Sequence, residues 1–231
     1  MALAMVAMPT TTATSMDSGF LRILSWLSPV FPTGSFAYSA GLENAVSEGW
    51  VADGDGLGDW LEGWLTQGRV RNELIFLLAA LDSFDDLERI SEINELALAS
   101  CASQEQHLET TAQGRAFVDG MAAWGETVSF PERPALPVAV GAAAGASAID
   151  RGTVATAYAH AFITNQTQIA IRLSVIGQTG AAALLARLES AIADSVEHAC
   201  CATLDDIGSF APLADIATMR HEARHARMFR T

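Results

Sequence analysis

The sequence of 231 residues contains no lysine, and all 13 of its basic residues are arginines. A chain without lysine has no P-loop lysine for phosphate binding, no lysine for a Schiff base and no serine–lysine catalytic pair. Its 27 acidic residues give a formal net charge of −14, and so acidic a chain lacks the basic surface that a nucleic acid backbone requires. The charge balance therefore argues against nucleic acid and favours basic protein partners.

Cysteine and long apolar runs are also scarce. The three cysteines are an odd number in a chain large enough to bury a core without disulfides, which favours a reducing, cytoplasmic setting. The longest mildly apolar run, residues 134–149, has 16 residues, fewer than the ~20 that a membrane-spanning helix needs. Residues 1–17 lack the basic start of a signal peptide and are expected to form a disordered extension.

Patterns typical of strands are sparse, whereas apolar residues recur at intervals of three and four along most of the chain. This spacing, together with the abundance of alanine, predicts an all-α, single-domain multi-helix bundle. We expect residues 18–210 to form the helical domain and residues 211–231 to form a C-terminal tail.

The most constrained backbone lies in residues 28–50. Two prolines fix φ there, and Gly34 is free to adopt a turn conformation that is closed to other residues. Ser35 can cap a helix that begins at this point. On this helix Tyr38 is expected to face the core, while Glu43, about 500° further round, is expected to face a partner.

The same stretch resembles the N-terminal signature of the UreF family of urease accessory proteins. The residues that carry the resemblance are Ser28, Pro29, Pro32, Gly34, Phe36, Tyr38, Ser39, Gly41, Leu42 and Glu43. Further matches follow in the family's order: Gln113-Gly114-Arg115-Ala116, LPVAVGAAAG from Leu136, residues 165–179 and residues 212–230. The resemblance covers roughly residues 20 to 231.

The resemblance implies a non-catalytic, all-helical and dimeric scaffold without a cofactor. It implies a complex with UreD (UreH in some systems), the GTPase UreG and apo-urease, in which nickel is delivered and the active-site lysine of urease is carbamylated. The family's partner contacts correspond to Pro32, Gly34, Phe36, Tyr38, Gly41, Glu43, Gln113, Arg115, Arg172, His221, Glu222, Arg227, Phe229 and Arg230. No metal ligand is assigned to the chain.

A long helix is predicted over residues 153–175, with three polar residues on one side. Asn165, Gln168 and Arg172 are spaced three and four residues apart on an otherwise apolar helix. Buried polar residues need partners. They are therefore interpreted either as part of a helix or subunit interface, or as the lining of a polar passage.

The tail carries four of the chain's 13 arginines. A chain end without a core of its own is expected to fold only when a partner arrives, through charge-assisted contacts. Deletion of residues 212–231 is therefore expected to leave the helical body folded and to abolish association with UreD.

Two alternatives to the UreF function remain open at this stage. HEARH, residues 221–225, matches H-E-x-x-H, the zinc motif of metallopeptidases, although none of the six residues after it is His, Cys, Asp or Glu and so none supplies a third ligand. The other alternative is a helical adaptor of an unrelated complex. A second cluster, His198 with Cys200 and Cys201, is interpreted as buried or half-buried thiols, because adjacent cysteines point about 100° apart on a helix.

Overall fold

A computed structural model describes residues 18–125 and 128–231, and the extension predicted over residues 1–17 lies outside them. Within the described residues the chain forms α-helices, short 3-10 turns and no β-strand, which confirms the predicted all-α fold. The helices are α1 (Ser18–Trp26), α2 (Leu42–Ser47), α3 (Gly54–Thr66), α4 (Arg69–Asp82), α5 (Leu87–Ala99), α6 (Gln104–Met121), α7 (Leu136–Ala146), α8 (Arg151–Arg172), α9 (Gln178–Cys201) and α10 (Pro212–His221).

Helix α4 lies at the centre of the bundle and contacts α3, α5, α7, α8 and α9. It is apolar on all sides from Leu74 to Leu78, and every residue of that segment is buried. A helix without a polar face is stable only when neighbouring helices cover it. The five neighbouring helices provide this cover.

Side chains at the helix starts explain where several elements begin. Asp53, Asp86, Ser103 and Asp150 precede α3, α5, α6 and α8, and each accepts a hydrogen bond from a backbone amide in the first turn. These caps satisfy amide groups that have no partner inside the helix. No helix within the described ranges is long and apolar enough to cross a membrane.

The backbone of residues 28–50, which we call the opening stretch, differs from its prediction. Gly34 has a φ of +72°, as expected for a turn glycine, but only a 3-10 turn follows it. Tyr38 is extended, Ala40 and Gly41 have φ values of 52° and 81°, and α2 does not begin until Leu42. The predicted helix start at Ser35 is wrong because these two left-handed residues interrupt any helix between Tyr38 and Glu43.

Small residues let α7 approach α4 closely. A Cβ atom on Gly141 would overlap the carbonyl oxygen of Leu77, and one on Gly145 would overlap that of Leu81. Both obstacles are backbone atoms, which cannot rotate away as a side chain can. The contact between the two helices thus requires glycine at these positions.

Replacing Gly141 with alanine should destabilise the protein by about 1–3 kcal/mol, because the added methyl group overpacks the α4–α7 contact. The matched control is Gly63→Ala in α3, where nothing lies within 4 Å of the added carbon. Alanine's helix propensity should make that control more stable by about 0.5–1 kcal/mol. Denaturant titration followed by circular dichroism measures both changes. Equal stability of Gly141→Ala and the wild type would contradict this packing.

Candidate functional site

The C-terminal tail is docked on the body through three buried glutamates from other parts of the chain. We call Glu43, Glu105 and Glu109 the carboxylate clamp. Each is less than 8% exposed. Glu43 lies in the first turn of α2, and the other two lie one turn apart on α6. The clamp therefore joins the opening stretch, α6 and the last residues of the chain.

Glycine allows α10 to reach the start of α2. A Cβ atom on Gly41 would lie 2.8 Å from the backbone nitrogen of Thr218 and 3.1 Å from the carbonyl carbon of Ala217. Gly41 is also the residue with positive φ immediately before α2. One glycine thus sets the direction of α2 and leaves space for α10 beside it.

Glu43 binds the tail with both carboxylate oxygens. Its Oε1 accepts a hydrogen bond from the amide of Met228 (2.9 Å), and its Oε2 accepts one from the amide of Phe229 (3.1 Å). The Nε2 atom of His221 lies 3.1 Å from the same Oε2 atom. Burial raises the pKa of Glu43, but the hydrogen bonds from Met228, His221 and Phe229 outweigh it and hold the pKa below its usual value.

His221 is fully buried between two carboxylates. Its Nδ1 atom lies 2.8 Å from Oε2 of Glu105, on the side of the ring opposite Glu43. Oε1 of Glu105 accepts a hydrogen bond from Arg227 (2.7 Å). Burial nevertheless raises the pKa of Glu105, against the opposing effect of His221 and Arg227.

The last residues of the chain pair with the backbone of the opening stretch. The Arg230 amide donates to the carbonyl of Ala37 (2.7 Å), and the Ser39 amide donates to the carbonyl of Thr231 (2.9 Å). The hydroxyl of Thr231 donates to Oε2 of Glu109 (2.9 Å). The tail is thus fixed along its length by hydrogen bonds to the body.

Helix α8 holds the same opening stretch from the other side. Asn165 donates to the carbonyl of Ser35 (3.2 Å), and Arg172 donates to that of Phe36 (2.8 Å). The Arg172 guanidinium also lies 4.3 Å from the centre of the Phe229 ring, a cation–π contact. Asn165 and Arg172 therefore bind the chain's own loop and tail.

A second buried polar cluster adjoins the clamp. Arg69 donates to Glu73 (2.8 Å) and Glu109 (3.0 Å), and the hydroxyl of Tyr158 donates to Glu73 (3.0 Å). Burial is the largest cause that raises the pKa of Tyr158, and Glu73 adds to it. Gln113 completes the cluster from α6, 3.4 Å from Glu109. Glu109 thus links the tail to the N-terminal end of the central helix α4.

A cavity of about 910 Å³ opens beside this cluster, between α1, the opening stretch, α8 and α9. Its walls are largely apolar and include Phe20, Leu24 and Ala161, while Arg69, Glu73 and other members of the cluster also line it. Of the three residues considered for a polar passage, Asn165 lies on this wall, whereas Gln168 and Arg172 do not line the cavity.

The site residues predicted from the sequence fall into two groups. Those brought together around the tail are Tyr38, Gly41, Glu43, Gln113, Arg172, His221, Glu222, Arg227, Phe229 and Arg230. Phe36 is half-buried beside them, and its carbonyl accepts the hydrogen bond from Arg172. Those outside the cluster are Pro32 and Gly34, which are exposed in the turn, and Arg115, which forms an exposed ion pair with Asp119.

The structure corrects two expectations about the tail. Glu43 was expected on a partner-facing surface, but it is 7% exposed and occupied by the tail. The tail was expected to fold only on a partner, but α10 and the residues after it are docked on the body. Deleting residues 212–231 would remove the hydrogen-bond donors of the carboxylate clamp. We therefore expect that deletion to destabilise the body.

The HEARH segment does not have the helical geometry of a zinc site. Helix α10 ends at His221, and His225 is exposed in the irregular segment that follows. Both ring nitrogens of His221 face carboxylates, which leaves neither free for a metal ion. The described residues hold no group of three or more His, Cys, Asp or Glu side chains arranged for a metal ion.

The three cysteines are free, and Cys101 is half-buried. Burial raises the pKa of Cys101 to about 11. Cys200 is half-buried, but Cys201 is exposed, so the interpretation of this pair holds for one member only.

Sequence reasoning missed Arg69, Glu73 and Tyr158 as members of the site. Arg69–Glu73 and Glu105–Glu109 are pairs spaced four residues apart, a pattern common on solvated helix faces. The pattern that could have indicated burial is that Arg69 and Glu73 lie in the turn before the apolar segment Leu74–Leu78, where a charged pair requires buried partners.

Together, the fold and the site define an all-helical protein whose terminal tail is docked on buried carboxylates near its own N-terminal signature. A family model described as UreF matches residues 51–189, which is more than half of the chain. The chain therefore belongs to the UreF family of urease accessory proteins, a family of accessory proteins and not of catalytic enzymes.

Relatives extend the similarity beyond both ends of the family model. Urease accessory protein UreF 1 of Brucella anthropi is 41% identical over 225 residues, which cover 96% of this chain and 98% of the relative. Urease accessory protein UreF of Brucella ovis is 40% identical over 216 residues, or 93% of this chain and 95% of the relative. The protein of the same name from Allorhizobium ampelinum is 40% identical over 222 residues, or 92% and 96%.

Replacing Glu43 with alanine should destabilise the protein by about 3 kcal/mol, because two tail amides and His221 lose a buried acceptor. The matched control is Glu48→Ala, one residue beyond the same helix, where the carboxylate is exposed and 3.7 Å from Arg220. That change should stay within about 0.5 kcal/mol. Thermal unfolding compares the two variants. An unchanged melting temperature of Glu43→Ala would mean that Glu43 is a solvated charge and does not hold the tail.

Proposed function

We propose that this chain is a non-catalytic scaffold that joins UreD and the GTPase UreG on apo-urease during nickel insertion. Membership of the accessory family supports the urease context. The observation that carries the proposal is the docked tail, because it presents a preformed apolar surface at the position where the sequence resemblance implies partner contacts.

Large apolar side chains are exposed along the tail. Leu213, Ile216 and Met219 recur every third residue on α10 and are 55%, 37% and 48% exposed. Phe210 before the helix and Met228 after it are 77% and 57% exposed. We call these five residues the tail face. Clustered exposed apolar residues are typical of interaction sites in proteins that are otherwise well packed.

We assign UreD to the tail face. Arg220 and Arg230 lie in the same segment and are exposed, so the apolar residues have a basic border. An apolar centre with a charged border is the common anatomy of a protein interface. We place UreG and apo-urease on the same assembled complex without assigning them residues. The scaffold would couple the GTPase state to nickel delivery.

Met219→Glu should abolish capture of UreD, because a charge would be buried at the centre of the tail face. The matched control is Leu96→Glu on α5, where an exposed leucine lies on another helix. Both variants should remain folded, because neither side chain contributes to the core. Capture of purified UreD measures the interface, and circular dichroism measures the fold.

The same two variants test the function. A reconstituted system with UreD, UreG, apo-urease, GTP, nickel and bicarbonate should yield active urease with wild-type protein or Leu96→Glu, but not with Met219→Glu. Normal UreD capture by Met219→Glu would refute the assigned surface. Full activation of urease without this chain would refute the scaffold function itself.

We also propose that the protein acts as a homodimer in the cytoplasm. Helix α1 exposes Phe20, Leu21 and Leu24 to about half of their area, on the side where the large cavity opens. A second copy would cover these side chains in both subunits, since a two-fold interface uses the same surface twice. The free cysteines are in keeping with a reducing compartment.

Leu24→Asp should convert a dimer into a monomer, because the exposed leucine would place a charge in the interface. Light scattering coupled to size exclusion should give twice the chain mass of 24.4 kDa for the wild type and the single mass for the variant. Leu87→Asp on α5 is the matched control and should leave the mass doubled. A wild-type protein that stays monomeric at high concentration would contradict the dimer.

A further inference from the structure

The hydrogen bonds of His221 determine how many protons the docked tail must hold. A neutral imidazole has one N–H donor and one nitrogen lone pair, and an ionised carboxylate has only acceptor oxygens. Here Nδ1 lies 2.8 Å from Glu105 and Nε2 lies 3.1 Å from Glu43. With a neutral imidazole and two ionised carboxylates, one ring nitrogen would face an oxygen with no hydrogen between them.

One additional proton removes this conflict. The proton lies either on the imidazole, which then donates at both nitrogens, or on a carboxyl group, which then donates to the free ring nitrogen. The net charge of the three groups is the same in both cases. Because the ring is fully buried, no solvent molecule at its surface can take the place of the missing donor.

The charges around the ring favour retention of the proton. On the body these are the carboxylates of α2 and α6, and on the tail they are two arginines and one glutamate near the ring: Glu43, Glu105, Arg224, Arg227 and Glu222. Arg227 is 2.7 Å from Glu105, whereas Arg224 is 3.8 Å from Glu43. Two carboxylates thus flank the ring directly, while both arginines approach only the far oxygens.

We propose that docking of the tail is a proton-dependent switch, in which the docked tail holds one proton more than the released tail and is released as the pH rises. The proposal concerns the chain alone and does not depend on the identity of its partners. Its consequence is that the solution pH sets the fraction of molecules in which the tail is docked and the tail face is ordered.

The direction follows from proton linkage. A released tail exposes these groups to water, where an imidazole is ordinarily neutral and a carboxyl group ordinarily ionised at neutral and higher pH. Docking in that range must take up one proton, so the docking equilibrium constant falls as the pH rises, by at most about tenfold for each pH unit. At acidic pH, where a solvated imidazole is itself protonated, the dependence disappears.

Hydrogen exchange measures docking directly, because the amides of Met228 and Phe229 donate to Glu43 only when the tail is docked. After correction for the intrinsic exchange rate, their protection factors in the wild-type chain should fall as the pH rises from 7 to 9, by at most about tenfold per unit. The amide of Ile149, which donates to Ala144 at 3.0 Å within the body, is the internal reference and should show no such change.

The variant Glu105→Gln keeps the hydrogen bonds at position 105 but does not need the additional proton. The amide oxygen can accept from Arg227, and the amide nitrogen can donate to Nδ1 of His221, so this variant completes the same contacts without an additional proton. Its tail should stay protected and become insensitive to pH. The control is His225→Gln, which removes an exposed histidine of the same segment and should retain the wild-type slope.

Three results would overturn the proposal. The first is protection of Met228 and Phe229 in the wild type that does not change between pH 7 and 9. The second is a wild-type slope in Glu105→Gln. The third is loss of protection in Glu105→Gln at every pH, which would mean that the negative charge of Glu105 and not the proton holds the tail.

Discussion

The carboxylate of Glu43 is the group on which the arrangement of the opening stretch and of the C-terminal tail depends. It is 7% exposed, and a buried carboxylate is stable only with donors at both oxygens. Its donors are two backbone amides and an imidazole from the tail. The tail therefore supplies the donors that this buried carboxylate needs, and the same contacts hold the tail on the body.

The conformation of the opening stretch follows from this requirement. Gly34 and Gly41 turn the backbone through positive φ values, so the residues between them form a 3-10 turn and an extended Tyr38 beside the tail and not an α-helix. Arg172 and Asn165 of α8 hold the carbonyls of the 3-10 turn in place. In this chain the opening stretch thus binds the chain's own tail, and backbone groups are as important in this contact as side chains.

The fold class was predictable because helical periodicity is a local property. The position of Gly34 in a turn was predictable for the same reason. The site was not, because Glu43 and Phe229 are 186 positions apart and no local pattern reports their contact. Assuming one helix from Ser35 also placed Glu43 on the wrong face, since two left-handed residues precede α2. The HEARH motif was misleading for a similar reason. Its spacing brings the two histidines together only on a continuous helix, but α10 ends at the first of them, His221.

The two surfaces of α10 have different roles, and this difference allows the tail to be ordered and still available. Its inner side buries Ala214, Ala217, Thr218 and His221, and the residues that follow bind the clamp through hydrogen bonds and ion pairs. Its outer side exposes Leu213, Ile216 and Met219. Charged and polar contacts are directional, so they fix the orientation of the helix without covering its apolar side. An ordered helix loses less conformational entropy on binding than a disordered segment does. The buried carboxylates therefore act on partner recognition indirectly, by keeping the apolar side chains of the tail in one arrangement before a partner arrives.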